Sequence, residues 1–207
     1  MPKPLPLLLE TIKISEGEIH NLSYHQKRCD KSRLDLYHTT DTFSLKSIIH
    51  PPKSGLYRCR IVYGIKLQSI EYIPYQEKEI KTLKIVNTDL IYNHKYANRE
   101  ALNSLHTLHP SVDDILIEQD GYIKDTTIAN IAFFDGTTWF TPKKPLLAGT
   151  MRAKLLDEGF LHTKDIRKED IPHYSQIALM NAMIGFKIYP IVQLIPIKNV
   201  LMLGVNS

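Results

Sequence analysis

The chain has 207 residues, of which 43% are hydrophobic and 23% charged, and its net charge is +4. That composition suits a globular protein with enough apolar side chain for a core, as one large domain or two small ones sharing an interface. The charge is too mild to point to nucleic acid, no lysine- or arginine-rich block stands out, and no run approaches the ~18 apolar residues of a membrane span.

The opening MPKPLPLLLETIKI has two early prolines and no small-residue cleavage site. It reads as an extended lead-in to a strand and not as a signal peptide. LLLETIKI, SEGE and IHNL read as strand, turn and strand, with Gly17 supplying the turn. Ser23 is placed to cap a helix through YHQKRCDKSRLDLY. GLYRCRIVYGI and QSIEYIPY are rich in β-branched and aromatic residues and read as two more strands. Residues 1–72 are thus expected to form a small N-terminal α/β domain, and the polar QEKEI marks the junction to residues 73–207. The two cysteines, Cys29 and Cys59, make no CxxC pair and no disulfide framework, so a reducing cytoplasm is the expected setting.

Beyond the junction KTLKIVNT reads as a strand, and HKYANREALNSL as a turn leading into a helix. DDILIEQDGYIKDTT is a hairpin pattern around Asp120-Gly121, and ANIAFFDGTTWFTP repeats it around Asp135-Gly136. PLLAGTMRAKLLDEG reads as a loop entering a helix that Gly159 ends. QIALMNAMIG and FKIYPIVQLI read as closing strands. The fold class is α+β or α/β, with no internal repeat.

Several short stretches carry chemistry, each with a plain structural alternative. GTMR, residues 149–152, opens a helix after a loop, where N–H groups and the helix dipole favour an anion such as phosphate. The alternative is an ordinary helix start with Thr150 as its cap. Asn181-Ala182 ends a strand before Gly185 and offers backbone N–H groups to the same anion, or simply ends the strand. Arg28 has the two-pronged geometry that matches phosphate, or is a solvated surface arginine. Asp125 ends the DGYIKD strand with Asn130 following. A carboxylate there pairs with a cationic ring nitrogen if buried, or sits in water at a hairpin end. His106 and His109 are spaced HxxH before Asp113-Asp114, but no fourth ligand set is evident, so no metal is expected. The serines lack a GxSxG setting, so a hydrolase triad has no support.

The order of these stretches is more specific than any one of them. HKYANR, DGYIKDTTIANIAFFDG, TWFTP, PLLAGTMRAKLL and ALMNAMIG follow one another, after LLLETIKI and an HxxR at His25–Arg28. In this order the chain resembles the class IV aminotransferase family of pyridoxal-phosphate enzymes, of fold type IV. That family includes branched-chain and D-amino-acid aminotransferases and 4-amino-4-deoxychorismate lyase. The resemblance implies a two-domain fold, a small N-terminal α/β domain plus a larger barrel-like C-terminal domain, with pyridoxal 5'-phosphate as cofactor. It also implies a homodimer, since family active sites lie between the domains and borrow from a partner chain.

The resemblance further implies roles. Lys95 matches the lysine that forms the Schiff base with the cofactor, and its KxxNR setting is similar to the lyase members. Arg28 matches the phosphate-binding arginine. Thr150 and Met151 match the helix-start pair that also holds the phosphate, and Asn181 and Ala182 fall at the second phosphate-contacting turn. Asp125 falls where the family usually has a glutamate facing the pyridine nitrogen, one methylene shorter. Asn130 matches a strand asparagine expected to be structural or to support the site. The cofactor is an electron sink only if its ring nitrogen stays protonated or strongly hydrogen-bonded, and a carboxylate favours that form. A free lysine has a pKa of about 10.4, which burial and the cofactor linkage lower toward a working base.

The family's first strands are not seen before LLLET, so substrate-side groups cannot be carried over. The short start and the HKYANR setting favour the lyase, forming 4-aminobenzoate and pyruvate, over an aminotransferase for small amino acids and 2-oxo acids. Arg58, Arg60 and Arg99 are the candidate carboxylate binders for the aminotransferase. A non-catalytic member of the fold is the third expectation, motivated by the Asp125 change and the short chain.

Overall fold

The computed structural model describes residues 5–41, 43–195 and 198–204. The first four residues of the expected lead-in lie outside them. The chain divides into two compact units. One runs to Gln76 and includes His94–Asn98, and the other comprises Glu77–Asn93 and the chain from Arg99 on.

The first unit contains β1 (Leu8–Ser15), β2 (Glu18–Ile19), α1 (Leu22–Tyr37), α2 (Leu45–Ile48), β3 (Leu56–Tyr63) and β4 (Leu67–Pro74). Its four strands form an antiparallel sheet in the order β2-β1-β3-β4. Period-two alternation sends Leu8, Ile12 and Ile14 of β1, and Cys59, Ile61 and Tyr63 of β3, into one core with Cys29 of α1. Glu16 and Gly17 both take positive φ, 49° and 80°, as a two-residue hairpin turn requires.

The expected second strand is only two residues long, because Asn21 takes φ 52° and turns the chain directly into α1. The expected cap at Ser23 is therefore corrected. The cap position is Asn21, which makes no side-chain cap bond, and Ser23 already lies inside the first turn. At the other end His38 adopts a left-handed conformation and donates its N–H to the Leu34 carbonyl, closing the helix.

The second unit contains β5 (Thr82–Asn87), α3 (Glu100–Thr107), β6 (Asp114–Gln119), β7 (Tyr122–Thr126), β8 (Asn130–Phe134), β9 (Trp139–Pro142), α4 (Thr150–Asp157), β10 (Leu161–Lys164), a 3-10 helix (Lys168–His173), β11 (Gln176–Asn181), β12 (Gly185–Ile195) and β13 (Val200–Leu203). Nine strands form one sheet in the order β10-β9-β8-β11-β12-β13-β5-β6-β7. The last strand in that order, β7, packs against β8 and β9, so the sheet curls toward a barrel. This curled sheet has the form expected of the larger, barrel-like C-terminal domain.

Two strand pairs are parallel, β5 with β6 and β9 with β10. A parallel pair needs a crossover, and α3 and α4 are those crossovers. Both faces of the central strands are covered. Ile131 and Phe133 of β8 and Ile177 and Leu179 of β11 enter the main core, while Ala132, Ala178 and Met180 pack with Leu155 of α4. That two-sided burial explains why NIAFF and QIALMN read as continuous apolar runs. Asp120-Gly121 forms the expected turn with φ 51° and 78°. The short elements α2, β10, β13 and the 3-10 helix carry no periodic signal and were not expected.

Candidate active site

Glu10 occupies a core-facing position of β1, between Leu8 and Ile12, where alternation calls for an apolar side chain. It is fully buried. Its partners sit on one face of α1, three residues apart. Arg28 donates from Nε to Oε1 at 2.8 Å and from a terminal nitrogen to Oε2 at 2.5 Å. His25 Nδ1 meets Oε2 at 2.6 Å. Burial pushes the Glu10 carboxyl up, but the Arg28 charge and the bonds from His25 and Arg28 outweigh it, and the pKa ends at about 2. Glu10 is thus an ionised acceptor, so His25 Nδ1 carries the hydrogen in this bond. Burial, opposed by the bond to Glu10, lowers the His25 pKa, and the Arg28 and Lys95 charges lower it further.

Lys95 lies in the segment between β5 and α3, yet its backbone belongs with β1. Leu9 donates its N–H to the Lys95 carbonyl at 2.8 Å, Ala97 donates to the Leu7 carbonyl at 2.9 Å, and Leu8 and Tyr96 form a bridge. Lys95 is half-buried. The structure therefore brings Lys95, Arg28, His25 and Glu10 together within the first unit. Glu10 was not singled out in the sequence. The signal was available as the lone acid inside the apolar LLLETIKI.

In the second unit Asp125, at the end of β7, is 3% exposed and not a hairpin-end aspartate in water. Its Oδ1 accepts from Asn130 Nδ2 and its Oδ2 from the Leu147 N–H, each at 2.8 Å. Burial raises its pKa, the Asn130 and Leu147 bonds and the charge of Arg152 lower it, and the balance stands at about 6. Asn130 also donates to the Leu147 carbonyl at 2.8 Å, so it clamps the loop before α4 to the carboxylate.

The same asparagine explains Gly149. A Cβ there would lie 1.9 Å from Asn130 Oδ1, so only glycine fits. Gly149, not Thr150, is the N-cap of α4, and no side chain caps the helix there. Thr150 is the first helical residue and is buried, while Met151 is half-buried against the α4 cluster. Asn181 shapes the neighbouring turn. Its Oδ1 accepts from the N–H groups of Met183 at 2.8 Å and Ile184 at 3.0 Å, and its Nδ2 donates to the Ile128 carbonyl at 3.2 Å. Ala182 is half-buried in that turn. Met180 pairs with Asn130 across β11 and β8, which brings Asp125, Asn130, Gly149 and Asn181 into one neighbourhood of the second unit.

Other candidates have structural partners. His106 Nε2 meets the Asp113 carbonyl at 3.0 Å, and among the described residues no three His, Cys, Asp or Glu side chains group as a metal site. Arg99 donates to the Thr127 carbonyl at 2.7 Å, and Arg60 reaches Glu71 at 3.5 Å. The buried thiols of Cys29 and Cys59 are pushed up to about 12, which makes them inert. No helix among the described residues is long and apolar enough to cross a membrane.

Comparison with known proteins gives these features a context. The family model for amino-transferase class IV matches residues 7–194. A crystal structure of a putative 4-amino-4-deoxychorismate lyase from Haemophilus somnus 129pt is 38% identical, with a TM-score of 0.80, covering 87% of this chain and 97% of that one. An uncharacterized protein of Haemophilus influenzae is 36% identical over 184 residues, 86% of this chain and 98% of its own length. A putative aminodeoxychorismate lyase of Schizosaccharomyces pombe is 30% identical over 128 residues, 57% of this chain and 55% of its own.

Proposed function

We infer the function from the family: the chain belongs to the class IV amino-transferases. Enzymes of this family are pyridoxal-phosphate-dependent aminotransferases and lyases, and the cofactor is pyridoxal phosphate. The residues present fit that group. Asp125 is a buried carboxylate raised to about 6, a site that a cationic ring nitrogen would complete. Gly149 leaves the start of α4 without a side-chain cap, a setting suited to phosphate.

We propose that the reaction is cleavage of 4-amino-4-deoxychorismate to 4-aminobenzoate and pyruvate. The observation that carries this reading is Lys95 pinned by Leu9 to β1, beside the Glu10–His25–Arg28 cluster. The KxxNR setting and the similarity to a putative lyase over nearly its whole length support the lyase in particular.

When bound, the cofactor supplies the electron sink that stabilises negative charge next to the substrate nitrogen. Lys95 Nζ would hold the cofactor and serve as the base. It would take the proton from the ring carbon that bears the amine as the ring C–O bond breaks, and the released enolpyruvate takes up a proton to become pyruvate while the ring becomes aromatic. Arg28 would meet the phosphate, while Glu10 fixes the plane of its guanidinium. Thr150 and Met151 at the start of α4, with Asn181 and Ala182 at the adjoining turn, are the second unit's proposed phosphate binders. Asp125 would keep the ring nitrogen protonated, and Asn130 holds Asp125 in place. The working form is proposed to be a homodimer, which light scattering tests.

The first test is an absorption spectrum before and after borohydride, with Lys95→Ala alongside, followed by assay of pyruvate release. A visible band that reduction traps in the wild type and not in Lys95→Ala, with pyruvate formed from 4-amino-4-deoxychorismate, is the expected result. A protein that takes up no cofactor would make it a non-catalytic member of the fold. The family's name keeps the aminotransferase as the second reading. Rapid conversion of the cofactor to its amine form by a simple amino acid, without pyruvate release from the lyase substrate, would favour it.

A further inference from the structure

Asp125 and Asn130 bond to each other across the turn of residues 126–129, so the shape of that turn decides whether the pair meets. The turn makes bonds of its own. The Thr126 N–H donates to the Ala129 carbonyl at 2.8 Å, and Thr126 Oγ1 accepts from the N–H groups of Ile128 at 3.2 Å and Ala129 at 3.0 Å. It is also held from outside at three points. Arg99, at the start of α3, donates to the Thr127 carbonyl at 2.7 Å. Asp114, at the start of β6, accepts from the Thr127 hydroxyl at 2.5 Å. Asn181, at the end of β11, donates to the Ile128 carbonyl at 3.2 Å.

Asp114 is the member of this set that stability does not explain. It lies beside Leu83 of β5 and two residues before Leu116, on the face that both send into the main core. It is buried there. Its Oδ1 accepts from the Ile115 N–H at 2.8 Å and from Thr127, while Oδ2 is buried with no hydrogen-bond partner among the described residues. A buried carboxyl with one oxygen unmet is a cost to the fold. An apolar side chain would suit the position better, and breaks of the local pattern of this kind concentrate at functional sites. What the acid does here is fix Thr127, whose carbonyl is held by a guanidinium in turn.

The grip matters for Asp125. Burial is the largest influence on that carboxyl. Against it stand Asn130 of β8, the N–H groups of Leu146 and Leu147 in the loop before α4, and the charge of Arg152 from α4. A turn released at Thr127 opens the carboxyl to water. We propose that Arg99 and Asp114 are positioning residues for Asp125, which by gripping Thr127 keep its carboxyl dry where the cofactor ring nitrogen would meet it. This rests on the reading of Asp125 as the ring-nitrogen partner and holds for a lyase and an aminotransferase alike. It gives Arg99 a task other than binding a substrate carboxylate.

The test uses the full chain, first free of cofactor and then titrated with pyridoxal phosphate. Carbon NMR of protein labelled at the aspartate carboxyls follows Asp125, with Asp125→Asn to assign its signal, and absorbance gives the cofactor affinity. Arg99→Met, Thr127→Val and the pair Asp114→Leu with Thr127→Val remove the grip, and Thr127→Ser keeps the hydroxyl. Asp135→Ala is the control for lost stability alone, since it strips the side-chain bonds of the exposed β8–β9 turn. The titration of Asp125 is expected about one pH unit lower, and cofactor binding about tenfold weaker, in the three variants that lack the grip. Thr127→Ser and Asp135→Ala should match the wild type in both. In the paired variant resistance to urea should hold or rise, because both partners are replaced together by apolar groups. An Asp125 titration in Arg99→Met and Thr127→Val equal to the wild type overturns the proposal, and so does an equal fall in Asp135→Ala. A lowered titration, with cofactor affinity the same in wild type and Asp125→Asn, upholds the grip and defeats the reading of Asp125 as the ring-nitrogen partner.

Discussion

Glu10 in the first unit and Asp125 in the second are both buried carboxylates, and burial pushes both upward. Glu10 nevertheless ends at about 2 and Asp125 at about 6. The difference lies in the partners. Glu10 holds a guanidinium in two-pronged contact and a histidine N–H besides. Asp125 holds an amide and a backbone N–H, and the Arg152 guanidinium acts on it only through space, being bonded to Thr141 and Pro142. Here the neutral donors leave the Asp125 carboxyl above its ordinary value, whereas a contacting cation with its hydrogen bonds takes Glu10 below its own. The first unit therefore carries a completed ion pair that orients an arginine. The second carries a carboxylate that a cation would complete, as a protonated cofactor ring would.

The comparison can be broken most forcefully at Glu10. Glu10→Gln leaves Arg28 without its counter-charge in a buried setting and is expected to cost about 3–5 kcal/mol in urea unfolding at pH 7. A loss under about 1 kcal/mol would show that Arg28 does not depend on the pair.

The pH dependence of stability sharpens the contrast, because the two carboxyls act with opposite sign. Glu10 falls from its ordinary 4.5 to about 2 on folding, so its contribution is present above pH 4.5 and is lost as pH falls through 2. Asp125 rises from 3.8 to about 6, so its contribution is present below pH 3.8 and is lost as pH rises through 6. Each amounts to roughly 3 kcal/mol. Unfolding of cofactor-free protein across pH 4–7 is expected to show a downward component that Asp125→Asn lacks. Loading with pyridoxal phosphate should flatten the same component, since a cation beside Asp125 lowers its pKa. Identical pH profiles for wild type and Asp125→Asn would refute the assignment.

A smaller effect is expected at Gly149. The added Cβ of Gly149→Ala collides with Asn130 Oδ1, and displacing Asn130 releases Asp125. The cost should be about 1–3 kcal/mol, with weaker cofactor retention on dialysis. The double variant with Asn130→Ala should fall short of the sum, because the two residues share one contact. Smallest is Asn181→Ala, which frees the N–H groups of Met183 and Ile184 and should cost about 1–2 kcal/mol by thermal unfolding. An unchanged midpoint would mean that water replaces the side chain.

Much of this was legible in the chain itself. The alternation in LLLETIKI and YRCRIVY, the Asp120-Gly121 turn and the Gly159 helix end are local features, and each fixes a strand, turn or helix end within a few residues. The order of HKYANR, DGYIKDTTIAN, AGTMR and ALMNAM determined the family, because motif order is written along the chain. The sequence could not reveal that Lys95 pairs with Leu9, that Glu10 meets Arg28, that Gly149 is shaped by Asn130, or that Arg99 holds Thr127. Each of these joins residues about 18 to 86 positions apart, and no local pattern specifies which distant side chain a buried donor will meet. Only the tertiary structure decided that two buried carboxylates would differ in acidity, because burial acts on both alike and the contacting cation belongs to one.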